Sequence, residues 1–199
     1  KPAPMARPKE RTVAEAAGHR MALAYPASLV VSGAGMLFAG YVLAETGLPP
    51  WLALVLMVGG FLLWTLLEYL LHRFVLHGLW PFKAWHELHH RLPDEPIRIP
   101  LAFSVPLVLV MLMAPTLLLR NVALGAALAI GLLAGEIVQE VVHERLHRRD
   151  EHGHEAGEGR GWLAVRRREH GFHHAQDARR AFGTLSGFWD RLLGTAPRV

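Results

Sequence analysis

The sequence predicts an all-α integral membrane protein, with four transmembrane helices arranged as two hairpins beneath a helical cap on the cytosolic side. Three observations predict it. Of 199 residues, 52% are hydrophobic and only 19% charged, against roughly 25% charged in an ordinary soluble domain. Four apolar runs recur along the chain, each near the ~20 residues of helix that cross a bilayer core. Thirteen histidines and no cysteine are present, and most of the histidines follow the second and fourth runs, where a cap belongs. The hydrophobic content excludes a disordered chain. The lack of thiols excludes a disulfide framework and an iron–sulfur cluster.

Residues 1–26 are polar, punctuated by Pro2, Pro4, Pro8 and Pro26, and read as a cytosolic leader without the apolar core and cleavage site of a secretory signal. Ala27 to Ala44 holds 18 residues without a charge, and Trp51 to Leu67 holds 17, with apolar character continuing to Leu71. Leu101 to Leu119 holds 19, with Pro106 and Pro115 inside. Val122 to Val142 is interrupted by Glu136, Gln139 and Glu140. The first three runs lack the polar stripe of a soluble bundle helix. Spans are therefore predicted at about 27–45, 51–71, 101–119 and 122–142, within one membrane-embedded domain over 27–199. The cap comprises 72–100 and 143–199. Arg148 to Glu169, rich in Gly, Glu, Arg and His around an apolar patch at Trp162–Val165, reads as a loop or interfacial segment. Trp80, Trp85, Trp162 and Trp189 fall near predicted interfaces, where aromatic belts anchor membrane proteins.

Lysine and arginine set the orientation. The leader holds five, the Glu45–Pro50 turn none, His72–Pro100 four, Arg120–Asn121 one, and the chain after His143 eleven. Both termini are thus predicted in the cytosol and the two short turns outside. The net charge of +4 and pI near 10.0 could suggest nucleic acid. The basic residues flank the apolar runs instead of forming one face, so no nucleic-acid partner is expected. The Ala-, Arg- and Gly-rich composition points to a bacterial inner membrane, or the endoplasmic reticulum if the chain is eukaryotic.

Ten histidines fall in four groups: His72 and His77, then His86, His89 and His90, then His143 and His147, then His170, His173 and His174. Residues at i, i+3 and i+4 share a helix face, so each HxxHH triplet projects its imidazoles to one side. His72 and His77, five apart, predict a helix that ends or bends between them. Neutral imidazole is the commonest protein ligand for metals, and ten at one membrane face could hold two ions. An all-nitrogen set suits Zn, Fe, Cu or Ni and disfavours Mg and Ca. His19, His152 and His154 read as bystanders.

Carboxylates surround these groups. Glu68 precedes His72 by one turn, and Glu136 and Glu140 precede His143 by seven and three residues. An acid within a span is costly and by default functional. Metal-bound imidazoles usually donate their second N–H to a carboxylate or carbonyl, so Glu68, Glu136 and Glu140 are predicted to accept such bonds. Asp94 and Asp177 could do the same, or form salt bridges with Arg98, Arg179 or Arg180, which is favoured.

The four histidine groups resemble the histidine boxes of the fatty acid hydroxylase and sterol desaturase superfamily. The tail FGTLSGFWDRLLGT (Phe182–Thr195) is similar to the ending of fatty acid 2-hydroxylases, and RLPDEPIRIP (Arg91–Pro100) to the segment after their second box. The similarity covers roughly residues 60–195. It implies a non-haem di-iron oxygenase that hydroxylates or desaturates a C–H bond of a fatty acyl chain or sterol-like lipid, using O2 and two electrons. The ten histidines would be the ligands. Iron would be the active metal, with zinc able to occupy purified protein. Two departures border the site: a short connection from His77 to His86 and a long, charged one from His147 to His170. A 26-residue leader leaves no room for a fused cytochrome b5-like domain, so a separate ferredoxin or cytochrome b5 with its reductase is the expected donor. A carotenoid ring hydroxylase is the nearest alternative enzyme. A membrane metal transporter is the alternative outside enzymes, though its ligands would lie near the bilayer midplane.

Overall fold

The structure, a computed structural model, describes residues 21–148 and 161–197. His19, His152 and His154 lie outside them. The elements are β1 (Ala22–Ala24), α1 (Leu29–Ala44), α2 (Pro50–Leu70) continued by a π-helical turn at Leu71–Leu76, α3 (Phe82–Arg91), β2 (Arg98–Pro100), α4 (Leu101–Leu119), α5 (Val122–His147), α6 (Trp162–Ala175) and α7 (Phe188–Leu192). Three helical stretches, Pro50–Leu76, Leu101–Leu119 and Val122–His147, are long and apolar enough to cross a membrane. The fourth expected span, α1, has 16 residues, about 24 Å at 1.5 Å per residue, short of a ~30 Å hydrocarbon core. Val30, Leu37 and Phe38 of α1, Leu54, Val55 and Leu62 of α2, and Val110, Met113 and Leu118 of α4 point outward. Contiguous outward apolar surface on this scale marks contact with lipid.

Helix α5 is the hub. Gly125, Ala126, Ala127, Ala129, Gly131 and Gly135 are buried along it, and small residues let helix backbones approach closely in a membrane. The approach to α2 is the tightest. A Cβ on Gly131 would lie 2.0 Å from the Met57 carbonyl oxygen, and one on Gly60 2.3 Å from that of Leu128. Gly131→Val is therefore expected to force the two helices apart, at a cost of about 3 kcal/mol or more. Gly33→Ala, where a Cβ meets nothing within 4 Å, should be tolerated. The yield of monodisperse detergent-extracted protein and its melting temperature measure the contrast.

Two features of the predicted arrangement are corrected. α4 and α5 pack together across a tight turn: Arg120 is in the left-handed region (φ 48°), and Asn121 caps α5 by accepting from the Leu124 N–H at 3.1 Å. α1, however, packs on α5 and α4, not on its sequence neighbour α2. Its buried face is Ser32, Gly35 and Ala39, with Gly35 against Val108 and Leu133, so its small-residue stripe fits the other helices. The fold is all-helical as expected, apart from a short antiparallel ladder in which Ala22, Leu23 and Ala24 pair with Pro100, Ile99 and Arg98. It ties the end of the polar leader to the chain entering α4. Finally, Trp162–Glu169, read from composition as loop or interfacial segment, is the first half of α6. Arg166 is buried there, bonding Glu169 at 2.5 Å and the Gly183 carbonyl at 3.4 Å.

Candidate dimetal centre

The ten box histidines converge at the end of the bundle formed by the C-termini of α2 and α5, under α3, α6 and the tail. They form two groups of five. His72, His77, His86, His90 and His173 make one; His89, His143, His147, His170 and His174 make the other. Within each group the candidate ligand atoms all lie within 4.8 Å of one another. Each HxxHH triplet is thus split, where its spacing predicted one common side. The i and i+4 members of α3 (His86, His90) join the first group and His89 the second; on α6, His170 and His174 join the second and His173 the first. The groups abut through His90 and His174, whose rings stack at 4.0 Å.

The five-residue spacing of His72 and His77 is resolved by the π-helical turn, not by a bend. The His77 N–H bonds the His72 carbonyl at 3.1 Å, the i to i+5 pattern of a π-helix, which recurs at functional sites. The two rings lie nearly parallel, 5.1 Å apart.

Three backbone carbonyls set the ring tautomers. His72 Nδ1 is 2.5 Å from the Phe182 carbonyl oxygen and His173 Nδ1 is 2.7 Å from that of Arg180; the Pro93 carbonyl accepts from His147. A carbonyl only accepts, so Nδ1 of His72 and of His173 carries the proton and each Nε2 turns a lone pair inward. Those Nε2 atoms crowd together: His72 to His86, His86 to His90 and His77 to His173 at 3.0 Å, and His90 to His173 at 3.1 Å. In the second group His143 to His170 is 3.0 Å and His147 to His170 2.9 Å. Imidazole nitrogens bonded to one first-row metal at about 2.1 Å stand roughly 3 Å apart. His89 Nε2 and both nitrogens of His174 are buried without a hydrogen-bond partner; a neutral imidazole carries one lone pair, so each ring has one nitrogen free to ligate a cation. The residues fit two metal ions.

The surroundings keep these rings neutral. Burial, then the neighbouring imidazoles, hold His86, His89 and His170 well below the usual histidine range. The same causes bring His90 down to about 3. Burial, with His173 and Lys83 nearby, brings His77 to about 4. Their lone pairs are available for a metal across the physiological range.

The carboxylates do other work than predicted. Glu68 binds no imidazole; its Oε1 accepts from the Thr184 N–H at 2.6 Å, from the Thr184 hydroxyl, and from the Leu185 N–H at 3.3 Å, so it grips the tail. Glu140 takes the Ser28 hydroxyl and pins the start of α1. Glu136 bonds Ser32. The physical reason is reach: these carboxylates bond groups of the tail and of the start of α1, while backbone carbonyls already satisfy the N–H groups of His72, His173 and His147. Asp94 and His147 line one surface pocket. Asp177 makes the favoured salt bridges, to Arg179 Nε at 3.0 Å and Arg180 Nε at 3.6 Å.

Sequence reasoning missed Asp190. Fully buried, it accepts from the N–H groups of Phe182 and Gly183 at 2.9 Å and from the Thr195 hydroxyl at 2.8 Å. It thereby shapes the turn around Ala181 (φ 57°), which presents the Arg180 and Phe182 carbonyls to the two histidines. A lone acid inside the apolar FWDRLL was the available signal.

Beside the centre lies a cavity of about 130 Å³. His72, His86, His89 and His143 line it, with Trp64, Leu71, Leu76, Phe82, Phe103 and Leu107 among its apolar walls and Glu68, Ser104, Glu136 and Gln139 among its polar ones.

Residues 57–195 match the family profile described as fatty acid hydroxylase. The ceramide very long chain fatty acid hydroxylase scs7 of Schizosaccharomyces pombe is 29% identical over 173 residues, which are 78% of this chain and 46% of the relative; the chain thus spans about half of that relative's length. The solved hydroxylase domain of full-length scs7p superposes with a TM-score of 0.63 at 27% identity, covering 86% of this chain and 67% of that one. With its four histidine groups gathered at one end of a membrane bundle and this match over most of its length, the chain belongs to the fatty acid hydroxylase family.

Proposed function

We propose that the protein is a membrane-bound non-haem di-iron oxygenase that hydroxylates a C–H bond of a lipid, a fatty acyl chain or a related lipid such as a ceramide or sterol. The observation that carries this reading is the cavity, because four of the box imidazoles and a largely aliphatic and aromatic set of side chains line one space. The ten box histidines are the ligands, five to each ion. A pair of iron ions held there supplies the activation of O2 and the oxidising power for C–H cleavage. The net change inserts one oxygen atom into a C–H bond and releases the other as water, with two electrons and two protons from a separate donor of the ferredoxin or cytochrome b5 type.

The chain's own residues do the remaining work. The carbonyls of Phe182, Arg180 and Pro93 hold His72, His173 and His147 in the ligating orientation. Leu71, Leu76, Phe82 and Phe103 keep water from the reacting carbon and lay an apolar chain against the imidazoles. Placing the ligands at the bundle's end lets a lipid arrive from the bilayer without crossing water. The arginine-rich cap supports a cytosolic position for that end.

Lipid profiling of cells with and without the protein, under isotopically labelled O2, tests the reading. One labelled oxygen per product lipid is expected, with close to two metals per purified chain. Lipid profiles unchanged by expression, or label arriving from water, would sink it. A product lacking two hydrogens would point instead to desaturation at the same centre.

A further inference from the structure

The cavity wall holds two polar atoms that the proposed chemistry leaves idle. Glu136 is 6% exposed and Trp64 2%. Glu136 Oε2 and Trp64 Nε1 are both buried without a hydrogen-bond partner, and both residues line the cavity. The Trp64 ring packs against Gly135, the residue before Glu136, its Cδ1 2.9 Å from where a Cβ on that glycine would stand, and both Trp64 and Glu136 open onto the one cavity. One is an acceptor and the other a donor. Leaving either unpaired inside a membrane bundle costs about 1–3 kcal/mol, and such groups gain most from a ligand that satisfies both. A hydroxyl does so, since it donates one bond and accepts another. An unadorned hydrocarbon satisfies neither.

Position adds a length. Glu136 precedes His143 by seven residues on α5, about 10 Å of helix rise away from that imidazole. Ser104 and Gln139 also line the cavity and add polar groups to its wall.

We infer that Glu136 and Trp64 form a specificity site for an alcohol group carried by the lipid on the order of 10 Å from the carbon that is oxidised. This rests on the reading of the cavity as the lipid site. The favoured substrate is already oxygenated, so a reaction that installs or retains a hydroxyl on the chain must precede this one.

The test is a pair of probes that differ only in the hydroxyl, stearic acid and 12-hydroxystearic acid. Each is titrated into the detergent-solubilised full chain and followed by calorimetry, which needs no turnover. Wild type is expected to bind the hydroxylated chain about tenfold or more tightly, the span of one hydrogen bond to a charged or buried partner. In Glu136→Leu that ratio should collapse towards one, and Trp64→Phe should reduce it in part. Because the ratio is taken within each variant, a smaller folded fraction does not change it. Equal affinity in wild type, or a ratio that survives Glu136→Leu, overturns the specificity site and leaves the lipid cavity standing. Binding of neither probe overturns both, which separates the two failures.

Discussion

His173→Ala is expected to abolish product and to lower the metal content from close to two ions per chain to one or fewer. The side chain is fully buried. Its Nε2 stands 3.0 Å from that of His77 and 3.1 Å from that of His90, so its loss opens one of five positions around the first ion. His89→Ala is the matching change at the second group, since His89 Nε2 is buried there without a hydrogen-bond partner. Structural sites draw much of their stability from the metal itself, so a lower melting temperature should accompany the loss. Elemental analysis of the purified variants with product detection by mass spectrometry decides. Full metal content with full turnover in either variant would remove that histidine from the ligand set.

Asp190→Ala, although it touches no metal-facing nitrogen, should come close to the same outcome. It strands the N–H groups of Phe182 and Gly183 inside the protein, each costing about 1–3 kcal/mol, and frees Thr195, which also bonds Tyr69 at 3.0 Å. With the turn released, the Arg180 and Phe182 carbonyls no longer fix His173 and His72. A melting temperature lowered by several degrees, metal content reduced mainly at the first ion, and faster tryptic cleavage at Arg179 and Arg180 are the expected readings. Asp190→Asn keeps one accepting oxygen and should recover part of the metal. If Asp190→Ala kept both ions while merely melting earlier, the aspartate would be a fold residue with no part in positioning ligands.

Much of this site was legible in the amino-acid order because imidazoles are rare and their spacing is physical. The runs ending at His72 and His143 and the two HxxHH groups located all ten convergent rings. The division into two groups was not legible: i, i+3 and i+4 share a face broadly, but two centres side by side can separate His89 from His86 and His90. The π turn was also hidden, since a five-residue spacing fits an interrupted helix as well as a widened one. Backbone acceptors carry no side-chain signature, so the roles of Phe182, Arg180 and Pro93 could not be read, and the acids drew the assignment instead. The spans were read closely in α4, and α5 extended five residues further, to His147. The partner of α1 required knowing that the Gly and Ala positions of α5 face it.

The Asp190 clasp has a consequence for biogenesis. The carbonyls that orient His72 and His173 are held in place by residues as far along as Asp190 and Thr195, more than forty positions after the last long apolar helix ends at His147. During synthesis the first group of five imidazoles therefore gains its fixed orientation later than the helices it crowns, so a chain interrupted before Asp190 is expected to hold that group loosely.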